Sequence, residues 1–390
     1  MAKPADVKVF IDPFTHHFQN DVLFDLNFDR LGGDDILAPW VYLRDWFQAR
    51  GVEVHTADRL LRGEGLGAKN IYISFGIQEH YRLLAKRADV TLSAYFAFEG
   101  PIVEPRLYRG LPRLQPYFKR VFGFTDSESL KPFIPGEVKL RQFHLPTPFD
   151  KIHEDIWHQE DRGFMVMITT NRLPRLYYNE LYTERRRAID FFARTGDIDL
   201  YGKGWEGPSL RVGKTRVPYT FKLIHNKLTI QWQRFRPDPL LEACRRVYLG
   251  PTWSKRETLG RYNFALCFDN QVLNGWITEK IFDCFFAGAV PVYLGAPDIE
   301  TYIPKECFVD VRDFANYEEL RRYLKSLGEK EIRKYKEAGR KFIESPKFQP
   351  FTKAAFTDLV ARIVEEDAGL NLINKSDESL LTTEVAGARR

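Results

Sequence analysis

Cysteine is scarce in this chain. Its four residues, Cys244, Cys267, Cys284 and Cys307, are widely spaced and form no C-x-x-C pair. That spacing argues against a disulfide framework and a zinc-finger ligand set, and it suits a reducing compartment. Long apolar runs are lacking too. The stretch Phe285–Leu294 is too short to span a bilayer and is interrupted by Gly288 and Pro291. Met1-Ala2-Lys3-Pro4 leads straight into Val7–Ile11 with no apolar signal core. The expectation is a cytoplasmic protein. Gly202-Lys203-Gly204 lacks phosphate-loop spacing and a following Ser or Thr. His16, His17, His80, His144, His153 and His158 show no ligand spacing with carboxylates, and no D-x-D pair placed to hold a metal in a transferase site is evident. No nucleic-acid recognition motif is present.

What the chain does have is material for two cores: 390 residues, 44% of them hydrophobic and 14% aromatic. The formal net charge of +5 is unevenly placed. From Trp205 to Arg261 twelve Lys or Arg face four Asp or Glu, a local net of +8, which leaves −3 for the rest. Such a stretch is either a solvated basic face or a contact for anionic lipid, lipid-linked glycan or donor phosphate. Peripheral contact with the inner face of an anionic membrane therefore stays open.

Strand-like and helix-like patterns alternate. Strands are expected at Val7–Phe10, Val52–His55, Ile71–Phe75, Leu92–Phe98, Arg120–Phe124 and Lys139–Phe143, with helices at Ile36–Ala49 and Gln78–Arg87. Asp34-Asp35 reads as the N-cap and first-turn charge of the first helix. The polar, proline-containing stretch from Pro146 to Gly163 marks a domain boundary. A second series follows: strands Phe164–Thr169, Ile198–Tyr201, Asn263–Phe268, Val290–Leu294 and Phe308–Val311. Helices are expected at Glu180–Ala193, Thr278–Phe286, Tyr317–Leu327, Glu331–Ile343 and Thr352–Glu366. The expected division is residues 1–150, residues 160–368 and a flexible tail 369–390. Alternation of this kind gives α/β domains with parallel sheets, whose ligands bind outside the carboxyl ends of the strands.

The chemistry concentrates in Tyr262–Asn270, Trp276-Ile277-Thr278-Glu279-Lys280 and Ala287–Gly295. A buried strand ends in Asp269-Asn270, and a loop through Asn274-Gly275 leads to a helix that Thr278 can cap. The first turn of a helix attracts anions, and Lys280 adds a full charge there. That turn is either the start of an ordinary capped amphipathic helix with a surface Glu279 and Lys280, or a seat for a diphosphate with Glu279 on ribose hydroxyls.

These residues resemble the signature of the family-10 glycosyltransferases, the α1,3/4-fucosyltransferases. Phe268-Asp269-Asn270 stands where the family has Phe-Glu-Asn, Trp276 where it often has Tyr, and the spacing from Asn270 to Glu279 is kept. Downstream, Tyr302-Ile303-Pro304 and Phe308–Phe314 are similar to its continuation, and Asp199-Leu200-Tyr201-Gly202-Lys203 resembles its D-x-Y/F-G turn. The likeness covers most of residues 160–345. It implies a GT-B fold: two facing Rossmann-like domains with an inter-domain cleft. It further implies inverting transfer of fucose from GDP-fucose to a glycan or glycoconjugate hydroxyl, with no metal or other cofactor required. The donor set it implies is Tyr201, Lys203, Asn270, Trp276, Thr278, Glu279 and Lys280, with an Arg from the helix before Tyr201. Arg185, Arg186 and Arg187 are the choices, and Arg187 is favoured because Ile189, Phe191 and Phe192 follow it. The implied base is a Glu near residue 100. Glu99, after the apolar run Leu92–Phe98, is preferred, and Glu104 is the rival. The same scaffold using another nucleotide sugar, or a catalytically silent glycan-binding relative, are the alternative functions.

Overall fold

The computed structural model describes residues 3–28, 34–76, 80–125, 127–212 and 238–373, together with Phe221, Ile224, Lys227, Leu228, Gln231 and Trp232. Much of the expected basic stretch, and the tail beyond 373, lie outside the described residues.

Among the described residues, the first sheet contains β1 (Val7–Asp12), β2 (Glu53–Thr56), β3 (Lys69–Ser74), β4 (Val90–Phe96), β5 (Arg120–Gly123) and β6 (Arg141–Gln142). Their order is β2-β1-β3-β4-β5-β6, with every pairing parallel. The second begins at β7 (Gly163–Ile168). β8 (Arg172–Leu173) leaves it to pair with β10 (Leu210–Arg211) in a parallel two-residue patch. β9 (Asp199–Tyr201), β11 (Tyr248–Gly250), β12 (Tyr262–Phe268), β13 (Val290–Leu294) and β14 (Val309–Asp310) complete it in the order β11-β9-β7-β12-β13-β14, again all parallel. Strands covered on both faces read as unbroken apolar runs, and Val9-Phe10-Ile11 and Phe264–Phe268 are fully buried. In the first domain Phe75, Phe96 and Phe122 stack across β3, β4 and β5 at 4.6 and 4.5 Å between ring centroids.

The strand order reverses at β1/β3 in one sheet and at β7/β12 in the other. Carboxyl ends of strands diverge at such switch points, and the crevice there is where α/β sheets bind ligands. In the second domain that crevice lies beyond Ile168 and Phe268.

Two of the expected divisions need correction. Helix Lys353–Ala368 follows the second domain in sequence but packs into the first domain's core through Phe356, Val360, Ile363 and Val364. Phe356 meets Trp40 and Phe75 at 5.5 and 5.9 Å, and Arg120 pairs with Asp367 at 2.8 Å in a buried ion pair. The apolar stripe was legible, but stripes do not say which core they face. The expected tail also begins later: Leu372 and Ile373 are buried in the same core, and the Ile373 N–H donates to Glu365 at 2.7 Å. Helix Pro105–Leu114 escapes the sequence reading because Pro112 sits inside it, yet Leu107, Tyr108, Leu111 and Leu114 keep a helical stripe buried.

Candidate active site between the two domains

β12 ends at Phe268, and the two residues after it are held from below. The buried Asp269 carboxylate accepts from Thr278 Oγ1 at 2.5 Å and from the Tyr293 hydroxyl at 2.7 Å. Burial pushes its pKa up. Thr278 occupies the N-cap position of helix Glu279–Ala287 but its side chain makes no capping bond; its hydroxyl donates to Asp269 and its oxygen accepts from Lys280 Nζ. The expected cap is thus replaced, and the Thr278 side chain leaves the first-turn N–H groups to other acceptors. Lys280 Nζ lies 3.1 Å from Thr278 Oγ1 and 3.3 Å from Glu279 Oε1.

The three arginines divide cleanly. Arg185 is buried at the switch point, donating to the Phe268 carbonyl at 2.7 Å and to Asn270 Oδ1 at 2.9 Å. Desolvation there lowers its pKa. Arg186 is buried on another side, bonded to Asn171 Oδ1 at 2.7 Å and to Asp238 at 2.8 Å, where it braces the cap of helix Pro239–Arg246. Arg187 is 63% exposed and pairs with Glu184 one turn back. The expectation that Arg187 faces the cleft is therefore not met; Arg185 does.

Arg185 lines a cavity of about 440 Å³ with Lys255, Lys280, Lys203 and Arg172. Five cations thus converge on one space. Glu279 and Asn270 line it from the second domain and Glu99 from the first, so it spans the cleft. Gly202 closes the turn after β9 with φ at +133°, and a Cβ there would meet the Thr169 carbonyl oxygen at 2.0 Å. Only glycine fits so close a backbone approach.

Lys255, which the sequence reading did not single out, lies 3.5 Å from Asp283 and 3.8 Å from Glu279. Burial alone would lower its pKa, but those carboxylates hold it up. Burial likewise opposes ionisation of Glu279, yet Lys280 and Lys255 bring its pKa down to about 2. Asp283 goes the other way, pushed up by burial to about 6. Lys255 opens the short helix Lys255–Gly260, capped by Ser254 and also from the other domain. Asp34 accepts from Ser254 Oγ at 2.7 Å, from the Arg256 N–H at 3.2 Å and from the Lys255 N–H. Asp34 therefore caps a helix 220 residues away, not the one that follows it.

A second cavity of about 300 Å³ adjoins the first, sharing Glu99, Asn270, Lys255, Glu279 and Lys280. Its other walls are largely apolar, including Trp40, Phe98, Phe149 and Trp276. Trp276 is buried against Phe124 at 4.6 Å and faces Gly100, so it belongs to this neighbouring space and not to the cation cavity. Thr278 lines it as well. Tyr201 lines neither; it packs on Tyr262, the two hydroxyls lying 3.4 Å apart. Glu104 occupies the N-cap position of helix Pro105–Leu114 without a side-chain capping bond, and it lines neither cavity. The D-x-D triplet Asp197-Ile198-Asp199, which the sequence reading passed over, sits where β9 begins, at the end away from the crevice. There Asp197 pairs with Arg321 and Lys325, both at 2.5 Å, and Asp199 with the Tyr262 hydroxyl at 2.7 Å. Among the described residues, no group of three His, Cys, Asp or Glu is arranged to hold a metal.

Two parallel-sheet domains facing each other across a polar cleft define a GT-B glycosyltransferase fold. Residues 243–345, within the second domain, match the family described as glycosyltransferase family 10 (fucosyltransferase) C-term. The chain is 40% identical over 74 residues to the alpha-(1,3)-fucosyltransferase FucT of Helicobacter pylori, 19% of this chain and 16% of that protein. It is 42% identical over 72 residues to the mouse 4-galactosyl-N-acetylglucosaminide 3-alpha-L-fucosyltransferase 9, 18% of this chain and 20% of that one. The matched part thus spans a fifth or less of these relatives' length. In fold it is similar to Anabaena Alr3699/HepE, solved with UDP and glucose, with a TM-score of 0.52 at 12% identity over 92% of this chain and 99% of that one.

Proposed function

We propose that this protein transfers fucose from GDP-fucose to a hydroxyl of a glycan or glycoconjugate acceptor, with inversion at the anomeric carbon. The observation that carries this is the single 440 Å³ cavity where Arg185, Lys255, Lys280, Lys203 and Arg172 meet, with Glu99 on the opposite domain. A nucleoside diphosphate leaving group develops negative charge as the C1–O bond breaks, and fixed cations stabilise that charge in place. Arg185, Lys255 and Lys280 are proposed for the diphosphate, and Glu279, held anionic, for the ribose hydroxyls. The acceptor occupies the adjoining apolar cavity against Trp276 and Trp40. Glu99 lines both spaces, so its carboxylate takes the proton from the attacking hydroxyl as the new glycosidic bond forms.

With this many cations on the leaving group, transfer is proposed to need no divalent metal or other cofactor. Cytoplasmic residence belongs to the same proposal; all four cysteines are buried and unpaired, which suits a reducing compartment. The deciding experiment measures nucleotide release with GDP-fucose, other GDP-sugars and UDP-sugars in turn. Release from GDP-fucose alone, stimulated by a glycan acceptor, is expected. Release from another donor only would overturn the donor assignment, and release from none would overturn the catalytic reading.

A further inference from the structure

The 300 Å³ cavity beside the cation site is lined unlike a site for bare sugar. Its polar described residues fall into two groups. Glu99, Asn270, Lys255, Glu279 and Lys280 are shared with the cation cavity, so they lie at the end that faces the donor. The others are already bonded within the protein: Asp34 to Ser254 Oγ at 2.7 Å, Thr278 to Asp269 at 2.5 Å and Asp283 to Lys255 at 3.5 Å. Every other described wall residue is apolar. Three of these, Pro39, Pro146 and Pro148, have no backbone N–H to donate either. The wall leaves even its own indole unserved, for Trp276 Nε1 is buried with no acceptor among the described residues.

A sugar ring carries several hydroxyls, and each one buried without a hydrogen-bond partner loses on the order of tenfold or more in affinity. Further saccharide units leading away from Glu99 would meet that penalty along this wall. A hydrocarbon group gains there instead, each buried methylene strengthening binding about fourfold. The volume is at the low end for pockets that enclose a small organic ligand, and a single sugar methyl would leave most of it empty. Glu99 lines both cavities, so a group on this wall is within reach of the hydroxyl that attacks. We propose that the acceptor presents its reacting sugar to Glu99 and seats a hydrocarbon aglycone against Ile36, Trp40, Leu145 and Trp276, an inference that rests on the acceptor placement given above.

The test is calorimetric titration of the full chain with methyl β-D-galactoside, with octyl β-D-galactoside below its micelle concentration, and with a galactoside bearing an ethylene glycol chain of the octyl length. The octyl glycoside should bind at least about tenfold tighter than the methyl glycoside, since burial of two methylenes is enough for that gain. The ether chain should gain less than about threefold, because its oxygens lose water without finding donors. Ile36→Asn, at a wall position 45% exposed, should cut the octyl advantage at least about threefold while the melting temperature stays at the parent value. Leu145→Asn should cut it to a similar degree. No donor enters the titration, so its result is independent of whether GDP-fucose is turned over. No binding of the octyl glycoside, equal binding of the octyl and methyl glycosides, or an equal gain from the ether chain would overturn the proposal. So would an octyl advantage that both asparagine variants retain in full.

Discussion

Replacing Arg185 with Met keeps much of the side-chain volume and deletes the charge, and the structure allows the two consequences to be separated. The guanidinium holds the Phe268 carbonyl at 2.7 Å and Asn270 Oδ1 at 2.9 Å. Leaving buried acceptors without partners costs about 1–3 kcal/mol each. Partial relief by solvent in the cavity brings the expected loss of stability to about 2 kcal/mol, a fall of roughly 4–8 °C in melting temperature for a domain of this size. The second effect is on the ligand. A charge-assisted bond to a diphosphate oxygen contributes about 1.5–3 kcal/mol, so the Kd for GDP should rise about 10- to 150-fold. Arg187→Met is the matched control: 63% exposed and paired only along its own helix, it should change either quantity by less than about 0.5 kcal/mol. Arg185→Lys should fall between, keeping charge and losing one of the two anchoring bonds. Calorimetric titration with GDP and a thermal melt of each variant provide the readings. A normal GDP affinity in Arg185→Met, or an equal loss in Arg187→Met, would refute the placement of the diphosphate.

Glu99→Gln should lower kcat by about 10²–10⁴ while GDP binding stays near normal, whereas Glu104→Gln, outside both cavities, should retain transfer; the reverse pattern would exchange their roles. Lys280→Ala should weaken GDP binding and remove most activity, and an unchanged titration would sink its assignment. Transfer should persist in EDTA, with complete loss restored by Mn²⁺ exposing a metal requirement. Gly202→Ala, whose Cβ would sit 2.0 Å from the Thr169 oxygen, should cost roughly 2–4 kcal/mol of stability in a denaturant melt.

The sheets were legible because buried parallel strands announce themselves as apolar runs, and Phe264–Phe268 does so without interruption. The helix start at Thr278 was legible for the same local reason. The choice among three arginines went astray although a signal was present. Arg185 shares its helical face with Ala188, Ile189 and Phe192, at spacings of three, four and seven, and all three are buried. Position on that stripe, not the presence of apolar residues after Arg187, decides which side chain reaches the crevice. Lys255 and Asp34 could not have been paired this way. Their contact joins residues 221 apart across the cleft, and nothing periodic connects them. Thr278 shows a third kind of limit: it occupies the capping position, yet its hydroxyl is turned to donate to a buried carboxylate nine residues earlier while its oxygen meets Lys280.

The return of helix Lys353–Ala368 to the first domain sets an order on synthesis. A ribosome completes residues 7 to 142, all six strands of that sheet, long before the helix that covers Trp40 and Phe75 exists. Until the last helix is released, the surfaces that Phe356, Val360 and Val364 will bury remain open to solvent, while the second domain has all of its own strands in hand. The domain made first is therefore finished last. Chain termination between Phe351 and Val364 is expected to unfold the first domain and spare the second, so a nonsense mutation there would do its damage in the domain translated first.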